Sequence, residues 1–575
     1  MAPSWRAVPD PPQTRGIRAG RGPRLRCHGW RQEAILRLLE NNLEVAERPD
    51  ELVVYAAHGK AARDWESYDK IVEALTRLRD GQTLVVQSGK PIGVFATHPL
   101  APVVVMANGN LVGRWATPEI FYEHEAAGLI AWGGLTAGAW QYIGSQGVIQ
   151  GTYETFAAVA REHFGGSLAG RLVVSAGLGG MSSAQPLAVA AMLGGVLLCA
   201  EVDPAKVQRG VREKFLDRST DDVGEAIAWA RAAVADEEPL SIGVRANAVE
   251  LLEGLLDTDT APDVVTDLTA AHDLRYGYVP VGVSSAEAVA LRSADPARLT
   301  TLGGPAVVRH VRAMLEHRRR GAVVFDYGNN LRPQAAEAGL PEALELDVFT
   351  TRYLRPLFAR GIGPFRWICL SGETSDRALL DHLCEELFTD VARVTEWIAL
   401  ARRHGRDQGL PARIAWLGHG ERAAFALAAN AAVRDGRLAG PVAFTRDHMD
   451  AAGMTHPHII TEGMRDGSDA VSDWPLLDAM LLTASMADLV AIHAGGGGYS
   501  GYSQSTGVTV VADGSAVADA RLSRALSSDT GLGVLRYADA GYEDAVDEAA
   551  QDGLGLANEA IGEDPLQTTD REENR

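Results

Sequence analysis

Arg171-Leu-Val-Val-Ser-Ala176 leads into Gly177-Leu-Gly-Gly-Met-Ser-Ser-Ala-Gln-Pro186, then an apolar Ala-rich run, then Gly195-Val-Leu-Leu-Cys-Ala-Glu-Val-Asp203. The first six residues suit a buried parallel strand, and Gly177 and Gly179 follow at the spacing of a tight strand-to-helix turn. Glycine there lets the backbone turn sharply and approach a pyrophosphate, while the N–H groups opening the next helix face the anion. Glu201 ends the second apolar strand at about the ~20-residue separation at which a carboxylate accepts hydrogen bonds from a ribose. The third fingerprint position is Ser182 rather than Gly. Strand, turn, helix, strand and acid in this order predict a dinucleotide-binding unit; a Gly-rich turn in an α/β domain without a nucleotide is the plainer alternative.

A chain of 575 residues calls for two or three domains. Its net charge of -21 argues against nucleic acid or an anionic membrane surface as a partner. Cys27, Cys199, Cys369 and Cys384 show neither disulfide nor zinc spacing, which fits a reducing cytoplasm. The longest apolar run, Pro186 to Ala200, is too short to span a bilayer and carries Gly194 and Gly195.

Working outward, Met1 to Arg26 is rich in Pro and Arg and reads as a mobile basic arm. Trp30 to Leu43 is helical in pattern. Glu51 to Ala57, Leu84 to Val86 and Val103 to Ala107 read as strands, with turns at Gln87 to Pro91 and Asn108 to Asn110. Between Gly133 and Thr155 glycines crowd beside Trp140, Tyr142, Gln146, Gln150 and Tyr153, implying close backbone approach to a ligand or another strand, or a loop-rich junction. Strands at Leu240 to Val244, Val264 to Thr266 and Ala322 to Phe325 alternate with helices, so about 150 to 350 reads as one doubly wound unit. Helices at Ala378 to Leu387 and Val391 to Arg403 and a strand at Arg413 to Leu417 follow, and the end of the chain is polar and acidic.

His448 lies between Asp447 and Asp450, and His456 and His458 flank Pro457. No His pair has the i, i+4 spacing of a helical metal site, and no metal is expected. An Asp/His proton-transfer group and a structural polar network are both open readings. The run Gly495 to Gly498 after His493 lacks the Lys-Ser/Thr of a P-loop, disfavouring a nucleotide triphosphatase; it suits a phosphate or a flat pass against a ring.

In sequence order, Gln87-Ser-Gly-Lys-Pro91, Thr136-Ala-Gly138, Ile143-Gly-Ser-Gln-Gly147, Gln150 to Thr155, Ala176 to Met181, Phe325-Asp-Tyr-Gly-Asn-Asn330, Gly363-Pro-Phe-Arg-Trp367, Gln408 to Ile414 and Asp466 to Leu477 resemble urocanase (urocanate hydratase) from about Gly29 to about Tyr542. The resemblance implies an α/β architecture. A Rossmann-like doubly wound NAD-binding domain (146–352) is inserted into a larger α/β core formed by both ends of the chain (29–145 and 353–557), flanked by a disordered basic arm (1–28) and an acidic tail (558–575). It implies a cytoplasmic homodimer with one tightly bound NAD per subunit, used as an electrophile: water adds to an imidazole acrylate, and an imidazolone propionate forms without net redox change.

Residue by residue, the resemblance assigns NAD contacts to Ala56, Gly180, Met181, Ser182, Glu201, Asn247, Ala248, Thr269, His272, Tyr278, Val279, Tyr327 and Gly497. It makes Asp447 the proton donor, with Tyr55 and His448 beside it, and Arg366 the binder of the substrate carboxylate. Thr136 and His493 join the substrate set. The departures are Ala415 for the family's cysteine, Gly134 for a glutamine, Ile459 for an arginine, Ala494 for a second histidine and Leu268 for a glutamine. Most replace a polar or larger group by a smaller or apolar one, as a pocket for a bulkier, less polar ring would need. The substrate this suggests is S-methyl thiourocanate, with Ala415 or Gly134 making room for the methylthio group. Ordinary urocanate hydration, an NAD-dependent oxidoreductase and a non-catalytic NAD-binding paralogue are the alternatives.

Overall fold

The computed structural model describes residues 15–555 except 57, 181, 259, 406, 447, 461 and 462. Met181, Asp447 and the tail 558–575, all singled out above, therefore lie outside the described residues.

Two sheets organise the molecule. The first has seven strands in the order Asp347–Val348, Val323–Asp326, Val264–Val265, Leu172–Ala176, Val196–Ala200, Leu240–Val244, Arg218–Thr220, and every pairing is parallel. Leu172–Ala176, Val196–Ala200 and Leu240–Val244 are buried at every position, as their continuous apolar composition requires of strands covered on both faces. The chain leaves Leu172–Ala176 towards one edge and later returns to its other side at Val264–Val265. Ligands of parallel sheets bind at such a reversal, at the carboxyl ends of the strands. The crossover after the glycine turn is not the regular α-helix expected: one turn at Ala184–Pro186 passes into a π-helical stretch, Leu187–Met192. Pro186 has no N–H to continue an α-helical ladder.

The second sheet has nine strands, drawn from both sides of the first in sequence. Its main path runs Ala412–Leu417, Gly363–Cys369, Val442–Arg446, Gln504–Ala512, Leu489–Ala494, Val104–Asn108, Gln82–Gln87, Lys90–Ala96. It is mixed, and the parallel pairing of Leu489–Ala494 with Val104–Asn108 joins the two ends of the chain. The Gln87–Pro91 motif makes a hairpin here, not a site loop: Ser88 and Gly89 both have positive φ (46° and 71°), and Lys90–Ala96 returns as the edge strand.

Helix Gln146–His163 wedges between the sheets. Its Gly147 lets Arg366 approach, since a Cβ there would lie 3.2 Å from Nε, and a Cβ on Gly151 would lie 3.4 Å from Trp416 Cζ2. The glycines of 133–155 thus serve close packing of helix on strand as well as the cavity wall. Phe156, Phe325 and Tyr327 join Phe365, Trp416 and Val508 in one apolar core that spans both sheets.

Residues 15–28 are not a mobile arm but pack against the first helix. Helix Trp30–Glu44 presents Glu33, Glu40 and Glu44 to this segment: Ala19 N–H donates to Glu44 (2.9 Å), Gly20 N–H to Glu40 (3.0 Å), and Arg26 pairs with Glu33 (3.0 Å) and Glu40 (2.5 Å). Of the arginines read as a loose basic arm, Arg18, Arg21 and Arg26 are countercharges to a largely buried helix.

Candidate active site

A cavity of about 400 Å³ lies where the carboxyl ends of the parallel strands meet the second sheet. On the parallel side its wall includes Gly177, Gly179, Gly180 and Ser182 after the first strand, Glu201 after the second, Asn247 and Ala248 after the fourth, and Thr269 and His272 after the fifth; Tyr278, Val279 and Tyr327 complete it. Gly177 has φ +92°, and a Cβ on it would come 2.4 Å from the Leu268 carbonyl oxygen, so the turn packs on the neighbouring loop. Glu201 is oriented by two backbone donors, Leu178 N–H (2.8 Å) and Asp203 N–H (2.9 Å). Asn247 spends both ends on structure: Oδ1 accepts from Val249 N–H (3.0 Å), capping a helix, and Nδ2 donates to the Val279 carbonyl (2.9 Å). Glu47 accepts from Gly180 N–H at 2.9 Å, at the place where the turn would face an anion.

On the other side stand Tyr55, Ala56, Gly134, Thr136, Arg366, Ile414, Trp416, Met449, His456, Ile460 and Tyr499. The Tyr55 hydroxyl lies 2.9 Å from Thr136 Oγ1 and also contacts the Gly134 carbonyl closely. Arg366 is 1% exposed, and its guanidinium donates to the carbonyls of Gly147 (2.9 Å) and Gln141 (3.3 Å). His272 stacks on Tyr499 with ring centroids 5.1 Å apart, and burial pulls its pKa down to about 4. Both rings are neutral at pH 7, and their stack joins the parallel side of the cavity to the second sheet's side.

Several sequence-derived site residues stand elsewhere. Arg366 is paired with Ile414 and Pro364 with Trp416, and all four line the cavity; Phe365 and Ala415, paired between them, are absent from the lining. Successive strand residues point to opposite faces, so Ala415 belongs to the side where Phe365 stacks on Phe444 at 5.3 Å. Ala415 therefore makes no room for a substituent in the cavity. Ile459 is fully buried outside the lining; Arg332 holds the His458 carbonyl at 2.9 Å, and Ile460 is the residue that faces inward. His448 and His493 also lie outside the lining, edge to face with centroids 4.8 Å apart. Gly133 lies against His493, where a Cβ would come 2.9 Å from Nδ1. Burial holds both histidines well below their usual pKa, His493 at about 3, with His493 and then Arg446 and Arg366 adding to the effect on His448. Gly497 faces His58, Tyr122 and Asp273 rather than the cavity. Gly496 packs on a side chain of the protein itself: a Cβ there would strike the Trp132 indole at 2.5 Å.

Sequence reasoning missed a partly buried ion cluster beside this run. His58 lies 3.6 Å from Asp273 and 3.5 Å from Glu125, and Tyr122 donates to Asp273. Burial alone would lower the His58 pKa, but the two carboxylates outweigh it and raise the value to about 9. The folded value is above the unfolded one of about 6.5, so this contribution is complete below that pH and is lost as pH rises through about 9. The wild type should therefore lose several degrees of Tm between pH 7 and pH 10 that a His58→Gln variant, already destabilised at pH 7, does not lose. Parallel Tm–pH curves for the two proteins would sink this assignment. No signal in the sequence joins His58 to Glu125 and Asp273. Among the described residues no group of three or more His, Cys, Asp or Glu side chains is placed to hold a metal.

A Rossmann-like sheet thus faces a second sheet across a cavity whose wall includes a buried arginine and tyrosine. The chain matches three family models: the urocanase N-terminal domain over residues 17–141, the urocanase Rossmann-like domain over 144–353 and the urocanase C-terminal domain over 356–551. It belongs to the urocanase family and is a hydro-lyase. It is 51% identical over 542 residues, 94% of this chain and 98% of the relative, to the S-methyl thiourocanate hydratase of Variovorax sp. (strain JCM 16519 / RA8).

Proposed function

We propose that this protein is an NAD-dependent hydratase of S-methyl thiourocanate, adding water to the conjugated imidazole acrylate to give the corresponding imidazolone propionate without net oxidation or reduction. The observation that carries the reading is the character of one cavity wall. Arg366, which suits a carboxylate, shares a strand face with Ile414 and Trp416, and Val148, Met449 and Ile460 continue an apolar corner that suits a methylthio group better than water. The name of the relative at 51% identity points the same way.

The residues present fit a dinucleotide. The Gly177 turn carries a close backbone approach, Glu201 is oriented at the end of the second strand, and the lining continues past the sheet reversal to Tyr55. Bound NAD would supply an electrophilic nicotinamide, and the protein's part is to bind, orient and keep out water. Gly180 and Ser182 would face the pyrophosphate and Glu201 a ribose; Glu47 must leave the Gly180 N–H for a phosphate to take it. Arg366 would hold the substrate carboxylate with charge-assisted hydrogen bonds. Tyr55, held by Thr136, would offer a hydroxyl for positioning water, and Asp447 is the proposed proton donor. Gly134 lines the cavity, but its missing side chain serves close packing rather than room for a substituent: a Cβ there would meet Gly59 Cα at 3.0 Å and Tyr55 Cε2 at 3.5 Å.

The reading includes a cytoplasmic homodimer. The four free, buried cysteines suit a reducing compartment, and the edge strand Lys90–Ala96 exposes Ile92, Val94 and Phe95, a patch a second copy could cover. No described helix is long and apolar enough to cross a membrane.

The test is loss of ultraviolet absorbance on mixing the purified protein separately with urocanate and with S-methyl thiourocanate, while the NADH band is followed and bound NAD is assayed after denaturation. Rapid loss with the methylthio compound alone, NAD released on denaturation and no NADH is the expected result. Rapid loss with urocanate would make it an ordinary urocanate hydratase, and NADH formation an oxidoreductase. Arg366→Lys, which keeps the charge but not the planar fork, should lower kcat/KM by roughly 30-fold, about 2 kcal/mol, chiefly through KM.

A further inference from the structure

His456 enters the cavity wall directly after the short strand Met454–Thr455, which pairs with Gln504 and Ser505. Arg536 fixes this segment from behind, Nη1 donating to the carbonyls of Ala451 (2.7 Å) and Met454 (2.8 Å). His456 is 4% exposed and lines the cavity together with the apolar Met449 and Ile460 and the polar Tyr499 and Ser503. Among the described residues neither of its ring nitrogens has a hydrogen-bond partner. A buried polar group left unpaired is costly, and at a cavity wall a ligand can supply the missing partner.

Burial, and then the Arg536 cation, pull its pKa down to about 3. At pH 7 only about one ring in ten thousand is protonated, which suits a fixed hydrogen-bonding group and not a proton carrier. Neutral imidazole offers one N–H donor and one bare acceptor nitrogen. The ring of an imidazole acrylate offers the complementary pair, and a methylthio group on that ring would fall towards Met449 and Ile460.

We infer that His456 is a substrate-contacting residue that hydrogen-bonds a ring nitrogen of the imidazole substrate and sets the orientation of the ring in the cavity. The inference rests on the hydratase reading above. The geometry gives His456 what the two histidines assigned to proton transfer and to the substrate lack, a place on the wall: His448 and His493 are as buried and as neutral, but neither lines the cavity.

The test compares wild type, His456→Ala and His456→Gln for kcat and KM on S-methyl thiourocanate from pH 5 to 9, for NAD content and for Tm. Binding of imidazole propionate, which has no double bond to hydrate, is measured by calorimetry. His456→Ala should lose roughly 10- to 100-fold in kcat/KM and bind imidazole propionate about tenfold more weakly, with NAD content unchanged. His456→Gln, which keeps a donor and an acceptor, should recover most of both, with the pH profile of the wild type. An alanine variant within twofold of wild type overturns the inference, as does a glutamine variant as poor as alanine with a changed limb of the pH profile, which would make His456 a proton carrier. Loss of Tm in alanine alone is separated from loss of contact by the glutamine variant. A wild type that neither turns over an imidazole acrylate nor binds imidazole propionate overturns the hydratase reading, and this inference with it. Normal wild-type turnover with an indifferent His456→Ala overturns only the inference.

Discussion

Arg446→Met should cost about 3–5 kcal/mol of stability, the largest loss expected from a single side chain outside the cavity. Arg446 is fully buried, and its guanidinium serves three elements at once: Asp529 on helix Ala516–Asp539 (2.7 Å), Asp478 on helix Asp473–Ala484 (2.7 Å) and the Thr506 carbonyl in the second sheet. Among the described residues, removing it leaves two buried carboxylates with Arg422, 3.4 Å from Asp529, as the nearby countercharge. Burial, and then Asp529, already raise the Asp478 pKa well above its usual range, with Arg446 opposing them. A carboxyl whose folded pKa is raised weakens the fold as pH climbs above its unfolded value near 4, because the unfolded chain ionises first. Without Arg446 that penalty grows, and the deficit against wild type should be larger at pH 8 than at pH 5. Urea unfolding at both pH values tests it, and a variant within 1 kcal/mol of wild type at pH 8 would refute the argument. Activity should fall as well, since Gly453 packs directly on this guanidinium and the same loop carries Met449 and His456 into the cavity.

Gly177→Ala should abolish NAD retention and destabilise the protein by about 4 kcal/mol or more. Two costs add here. The φ of +92° is one that L residues rarely adopt, and a Cβ would sit 2.4 Å from the Leu268 carbonyl oxygen and 2.8 Å from its carbon, backbone atoms that cannot swing aside. To relieve the clash, the turn must lift from the Leu268–Thr269 loop, separating the two strand ends between which the dinucleotide is proposed to lie. Gly282→Ala provides the control: its φ is +84°, but nothing lies within 4 Å of the added carbon, so it should lose only about 1 kcal/mol and keep its cofactor. If the two variants behave alike, backbone conformation and not the collision is what matters. NAD content after gel filtration, with Tm, decides between them.

The parallel sheet could be read from the chain because its signals are local. Continuous apolar strands, the Gly177 turn and Glu201 all lie within Arg171 to Asp203, and the structure puts them in adjacent parallel strands, Val173 beside Leu197 and Ala176 beside Ala200. Most residues assigned to the dinucleotide line the cavity for the same reason: they follow strand ends, and parallel strands bring all such ends to one side. The substrate wall was less legible. It is built by register between strands distant in sequence, and the alternation of side chains makes neighbours such as Ile414 and Ala415 look equivalent until the partner strand is known.

The sequence by itself determined the fold class, the family and the strand ends that form the site, because propensity, glycine conformation and motif spacing are properties of short segments. Only the tertiary structure decided which residues line the cavity and in what charge state. Arg366, Ile414 and Trp416 share a face because of cross-strand pairing, and Ala415 is excluded by the same pairing. His58 is raised to about 9 between two carboxylates while His456 is lowered to about 3 in a buried wall beside an arginine. A histidine's pKa is set by what surrounds it, and what surrounds it is assembled from segments the chain holds far apart.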